Sequence, residues 1–210
     1  MKFYSFFILF FLISKVQAQD LRFQKAILNG KSLIEEANSI SKYQEAANYF
    51  ERISKNEKEE WLPLYYQARS NVLIGNLLTG KGRETHYQTS LELIDQAEKL
   101  NSNSELIALR GFIHMMRLSA DPATLGPSLS PIVFGLLQKA INLEPTNPRA
   151  LLFMGQMEYG TSQFFGSSTE KACDFIQRSI DLFIKESNQE SIFPKWGIAS
   201  AMLSSKQCLQ

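Results

Sequence analysis

The sequence predicts an all-α protein built from antiparallel helix pairs, and three observations carry that expectation. Apolar residues recur at intervals of three and four through most of the chain, as in Leu91, Ile94, Ala97 and Leu100, or Ile176, Ile180 and Phe183. That spacing lines one face of a helix. No stretch alternates apolar and polar residues between hairpin turns as a half-buried strand would. Helix-start chemistry recurs as well. Ser41-Lys-Tyr-Gln44 and Ser167-Ser-Thr-Glu170 have capping-box form, and Ser130-Pro131 and Asn147-Pro148 set a capping side chain before a proline. At the first helical position the missing proline N–H costs nothing.

Taken in order, the chain begins with MKFYSFFILFFLISKVQAQ. This stretch has a basic start, an apolar run from Phe3 to Ile13, and Val16-Gln17-Ala18 in the small-x-small form of a cleavage site. Residues 1–18 are therefore expected to be a removable signal peptide, and 19–210 a single helical domain. The apolar run is shorter than the ~20 residues a spanning helix needs. No later run is longer, so no membrane span is expected after its removal. The absence of any N-x-S/T sequon leans towards a bacterial periplasm. The helices are expected at 20–38, 41–55, 60–78, 84–100, 103–118, 130–143, 147–160, 168–186 and 194–207.

The 210 residues are 44% hydrophobic and 20% charged, as in ordinary soluble domains with one core. Removing Lys2 and Lys15 with the leader turns the net charge of +1 into −1. No basic surplus then argues for nucleic acid or an anionic membrane.

Residues 136–156, LLQKAINLEPTNPRALLFMGQ, resemble the tetratricopeptide repeat, a helix–turn–helix unit of about 34 residues. The resemblance covers roughly residues 41–186. Gly155, Gly111 and Ala68 take the small-residue place where the helices of a pair cross. Ala140, Ala97 and Ile53 take the small or apolar place late in the second helix, and Pro145 is the one closing proline. From Ile53 to Ala68 is 15 residues, from Ala97 to Gly111 is 14, and from Ala140 to Gly155 is 15, against about 15 in the repeat pattern. Within a pair the spacings are 29, 29 and 24, where about 19 is the rule. The extra residues, LLTGKGRETH, SADPATLGPSLSP and GTSQFFGSST, all fall between the first and second helix of a pair, hence at one edge of the array. The resemblance implies a right-handed α-solenoid with a C-terminal capping helix. The last stretch, GTSQFFGSSTEKACDFIQRSIDLF followed by FPKWG, is similar to the closing segment of secreted bacterial tetratricopeptide proteins. Those carry a Gly-Gly loop, a Lys-Ala helix start and a late Trp-Gly. Ser167 here replaces the second glycine.

The same resemblance implies that the first helices line a concave groove. By register it selects Tyr65 and Arg69, Phe112 and Met116, then Arg149, Gln156 and Tyr159. Phe112 and Met116 read equally well as core. The paired Lys and Asn of the family's two-carboxylate clamp are not found. Nor does the chain show catalytic chemistry. His114 stands where the repeat packs a ring, His86 reads as a solvated loop residue, and neither has the spacing of a metal site. Gly80-Lys81-Gly82-Arg83 lacks the strand and spacing of a phosphate loop. The acidic cluster Glu57, Glu59 and Glu60 suits a helix start.

The two cysteines, Cys173 and Cys208, invite a disulfide in an oxidising compartment, a reduced buried pair being the alternative. Antiparallel neighbours would bring the start of one helix beside the end of the next. The expectation is an exported or periplasmic adaptor, not an enzyme, with no cofactor and no metal, binding a protein or peptide in its groove. The alternatives are a periplasmic small-molecule receptor associated with a transporter, or a structural component of an envelope complex.

Overall fold

The computed structural model describes residues 4–186 and 191–209, with the backbone alone for residues 4–19. Helices fill nearly all of it: α1 (Tyr4–Glu36), α2 (Ile40–Asn56), α3 (Trp61–Leu77), α4 (Gly80–Leu100), α5 (Ser104–Ala120), α6 (Pro122–Leu143), α7 (Pro148–Phe165), α8 (Glu170–Glu186) and α9 (Ile198–Gln207). The expected leader at 1–18 falls partly on Met1–Phe3, outside the described residues, and otherwise on a part of α1 described by backbone alone.

Local chemistry sets the starts and stops. Asn147 accepts from the amides of Arg149 and Ala150, with Pro148 as the first helical residue of α7, as the Asn-Pro pair predicts. Asn103 opens α5 by accepting from Leu106. Gly166 adopts the left-handed conformation, φ +66°, and ends α7, a position where a Cβ would be strained. Other caps differ from expectation. Ser39, not Ser41, caps α2 by accepting from Lys42. At α8 the first amide, Glu170, is taken by Ser168 rather than Ser167. Helix α6 begins not at Ser130-Pro131 but at Asp121-Pro122, where the aspartate accepts from Thr124, and Pro127 and Pro131 lie inside the helix. α4 starts at Gly80 and α7 runs on to Phe165. The inserts, whose Gly, Ser, Thr and Pro content predicts part loop and part helix extension, are mostly helix extensions. The ninth helix starts at Ile198, not residue 194, so Ser191–Gly197 is irregular chain.

Consecutive helices pack as antiparallel pairs, α1 with α2, α3 with α4, α5 with α6 and α7 with α8, and α9 rests on α8. The odd-numbered helices also touch each other in sequence, α1 to α3, α3 to α5 and α5 to α7. They form one layer, and its face away from the even helices is the inner surface. Small residues let the pairs close. A Cβ on Gly155 would sit 2.7 Å from Ile176 Cγ1 and 3.0 Å from the Ala172 carbonyl of α8. Gly111 faces Leu137 of α6, and Ser90 of α4 donates to the Ala68 carbonyl at 3.0 Å. Ile27, Phe50, Tyr66, Ile94, Leu109, Leu137 and Phe153 are among the core side chains, each contributing about 1.5–3 kcal/mol by burial. A disulfide joins Cys173 at the start of α8 to Cys208 just past α9, Cα to Cα 5.8 Å. No helix among the described residues is long and apolar enough to cross a membrane.

Candidate functional site

On α3, Arg69 stands four residues after Tyr65 and three after Tyr66, so it shares a face with both. Glu105 and Phe112 come from α5, and Arg149, Phe153, Gln156 and Tyr159 from α7. What lies against them is the protein's own chain. The irregular segment 191–197, here called the strap, and then α9 run along the inner surface, and six of the seven residues chosen from sequence touch one or the other. Tyr65 accepts from the Trp196 indole at 2.9 Å. Arg69 stacks on the Trp196 ring, 4.7 Å from its centroid. Phe112 packs at 6.1 Å from the same ring and stacks on Phe153 at 4.5 Å. Gln156 bonds Ser200 and Ser204 of α9, and the Tyr159 hydroxyl donates to the Gln207 carbonyl at 3.2 Å. Met116 is part-buried against the core.

The strap is held by its backbone as much as by its side chains. Lys31 on α1 donates to the carbonyls of Ser191 and Phe193, and the Tyr66 hydroxyl to that of Ile192 at 2.7 Å. Phe193 lies over Trp61 at 6.3 Å. These are the contacts by which a groove reads an extended peptide, main chain first and ring pockets second.

An ionic cage closes the far side. Arg149 is only 2% exposed. It pairs with Glu105 at 2.7 Å and Glu186 at 2.8 Å, and donates to the Trp196 carbonyl at 3.2 Å. Burial alone would lower its pKa, but the Glu105 carboxylate beside it holds it above the usual arginine range. Burial, reinforced by Glu105, raises the Tyr65 phenol well above its ordinary value, so it stays a neutral donor and acceptor. Arg69 is pushed the other way: desolvation lowers its pKa, partly offset by Tyr65 and Tyr66.

The arrangement gives Tyr65 and Arg149 no open groove to face. Both are buried beneath the strap, and a partner could reach them only by replacing it. Sequence reasoning missed Lys31, Tyr66, Glu105, Glu186 and the strap itself. The FPKWG stretch was the available signal, since a lone aromatic and proline run after a helix has no face of its own to bury. His86, expected in a loop, lies on α4, 2.9 Å from the Asn71 side chain through Nδ1. His114 is part-buried on α5, with Nδ1 unpartnered. No group of three or more His, Cys, Asp or Glu able to hold a metal occurs among the described residues.

No protein-family model matches the chain, and no curated protein matches it. Solved structures do. The HusA haemophore from Porphyromonas gingivalis is 22% identical with a TM-score of 0.73, covering 90% of this chain and 92% of its own. The fold is tetratricopeptide-like. Two looser matches are a double mutant of MamA, RS-1 ArsTM (15% identity, TM-score 0.48, 88% of this chain and 95% of that one) and YrrB, described as a TPR protein with an unusual peptide-binding site (11%, 0.44, 87% and 85%).

Proposed function

We propose that this chain is an exported, non-catalytic tetratricopeptide-type binding protein that takes an extended segment of a partner protein on its inner surface. The strap marks the partner's path and gives way to it. One observation carries the reading: Lys31, Tyr66 and Arg149 all donate to main-chain carbonyls of the strap. Those bonds do not depend on the side chains of the occupant, so a second extended segment can use them. The leader-like start and the disulfide support export into an oxidising compartment. The test is calorimetric titration of a synthetic Ser-Ile-Phe-Pro-Lys-Trp-Gly peptide into the protein and into a Trp196→Ala variant, whose strap is weakened. Tighter binding to the variant is expected, and absence of binding to both contradicts the reading.

A second reading is favoured by a different observation. Phe164 and Phe165 at the end of α7 are 80% and 75% exposed, their rings in edge contact at 5.0 Å. Exposed rings side by side mark contact with something apolar. The fold likeness to a haemophore makes haem the small molecule to try there. A visible-absorbance titration with haem, repeated on Phe164→Ser with Phe165→Ser, decides it. Saturable binding lost in the double variant supports the receptor reading, and no spectral change in the wild type excludes haem.

A further inference from the structure

Three arginines that turn inwards in this protein are paired with acids. Arg149 holds Glu105 and Glu186, Arg110 holds Asp95 and Glu98, and Arg117 holds Glu84. The half-buried Arg83 donates instead to the Leu78 carbonyl. Arg69 has neither an acid nor a carbonyl. Its side chain is half-buried beside Tyr65, Tyr66 and the strap, its Nε is sealed from solvent with no acceptor among the described residues, and its guanidinium stacks on the Trp196 ring. Glu35, the acid whose charge it feels, is exposed and forms no ion pair with it. The strap brings a second donor in the same condition, because the Nζ of Lys195, next to Trp196 in the chain, is sealed and unpartnered too.

A stack on an aromatic ring is worth ~0.5–2 kcal/mol to a guanidinium. A carboxylate offers more, two charge-assisted hydrogen bonds matched to the guanidinium fork. A sealed donor left unmet costs about 1–3 kcal/mol and more on a charged group. The strap is therefore an imperfect occupant of its own groove. It supplies a ring where a carboxylate fits. It holds its place because it is tethered at both ends, by α8 and by α9 with its disulfide, which gives it an effective concentration in the mM range.

Resting on the peptide reading above, we infer that the partner segment is acidic: it places an Asp or Glu carboxylate on Arg69 where the strap places Trp196, and that exchange lets it outcompete the strap. Lys31, Tyr66 and Arg149 would keep their hold on whichever main chain is present. The selectivity lies in Arg69.

The test compares three peptides by calorimetry: Ser-Ile-Phe-Pro-Lys-Trp-Gly, the same peptide with Lys195→Glu, and the same with Trp196→Glu. In the wild-type protein at least one acidic peptide is expected to bind at least ~10-fold tighter than the parent, and in Arg69→Gln that preference should vanish, the acidic peptides binding no tighter than the parent. Arg69→Lys, which keeps the charge but loses the fork, should retain only part of it. Equal binding of all three peptides, or a preference that survives in Arg69→Gln, overturns the acidic-partner inference and leaves the peptide reading standing. Failure of every peptide to bind both the wild type and Trp196→Ala removes the peptide reading itself, and this inference with it.

Discussion

The Trp196 indole donates to the Tyr65 hydroxyl at 2.9 Å across 131 residues of chain, and that bond is one link in a closed circuit. Tyr65 faces Glu105 at 3.4 Å, Glu105 pairs with Arg149, and Arg149 donates to the carbonyl of Trp196 itself. The circuit starts and ends on one strap residue while crossing α3, α5 and α7. Sealing the inner surface and tying three repeats together are thus the same structural event.

Trp196→Ala should lower stability by up to ~3 kcal/mol, somewhat less than for a fully buried tryptophan because the ring keeps some solvent contact. Phe193→Ala, removing a 52% exposed ring, should cost well under half as much. Denaturant melts of the two variants check the ranking. Equal, small losses would mean that the strap is not held through Trp196.

Arg149→Met removes the cation but leaves Glu105 and Glu186 near one another at a poorly solvated site. Breaking a buried pair in this way costs about 3–5 kcal/mol. The triple variant Arg149→Met, Glu105→Gln, Glu186→Gln should recover part of the loss. A triple variant no better than the single one would show that the stability does not reside in charge compensation.

Gly155→Ala puts a methyl group 3.0 Å from a backbone carbonyl of α8, an atom that cannot swing aside. Overpacking of this kind costs ~1–3 kcal/mol, or roughly 2–12 °C in a domain of this size. Gly155→Leu should be worse. Gly111→Ala, meeting the movable end of Leu137, should lose less, and differential melting of the three variants measures the order.

Burial, with Arg117 and Arg110 adding to it, holds the His114 imidazole below its usual value. The unfolded chain therefore takes up its proton first as pH falls past about 6.5. Stability is complete above that value and declines below it. His86, also lowered by burial, acts in the same direction. His114→Gln should flatten the decline between about pH 7 and pH 5, measured by melts across that range. An unchanged slope would place the acid sensitivity elsewhere.

The disulfide closes a loop of 35 residues, for which chain-entropy arguments give about 3–4 kcal/mol before strain. Protein purified without reductant should show no reactive thiol after unfolding, and Cys173→Ser with Cys208→Ser should melt lower. The double variant should also bind added strap peptide more tightly, since α9 then tethers the strap less firmly.

The helix pairs were legible in the sequence because Gly155, Gly111 and Ala68 repeat at spacings that only a stacked array explains, and the structure puts Gly155 and Gly111 against the second helix of their own pair. The start of α6 was not legible. Ser130-Pro131 carries the local chemistry of a helix start, yet the helix passes through it from an equally good start at Asp121-Pro122. Local propensity cannot choose between two competent caps. Of the residues expected to line a groove, Tyr65, Arg69, Phe112, Arg149, Gln156 and Tyr159 meet the strap or α9, and Met116 packs against the core. That the chain itself would cover them was not legible. The strap has no periodicity, and its position depends on Lys31, Tyr66 and Arg149, which lie far from it in sequence.

The central claim is that the inner surface is filled by the chain's own residues 191–197, and nuclear Overhauser spectroscopy of the free protein tests it most directly. With Trp61→Phe leaving Trp196 as the one indole, cross-peaks are expected from its N–H proton to the Tyr65 ring, and from its ring to Phe112 and Phe153. An indole N–H that exchanges freely with water and shows no cross-peak to Tyr65 would contradict the account.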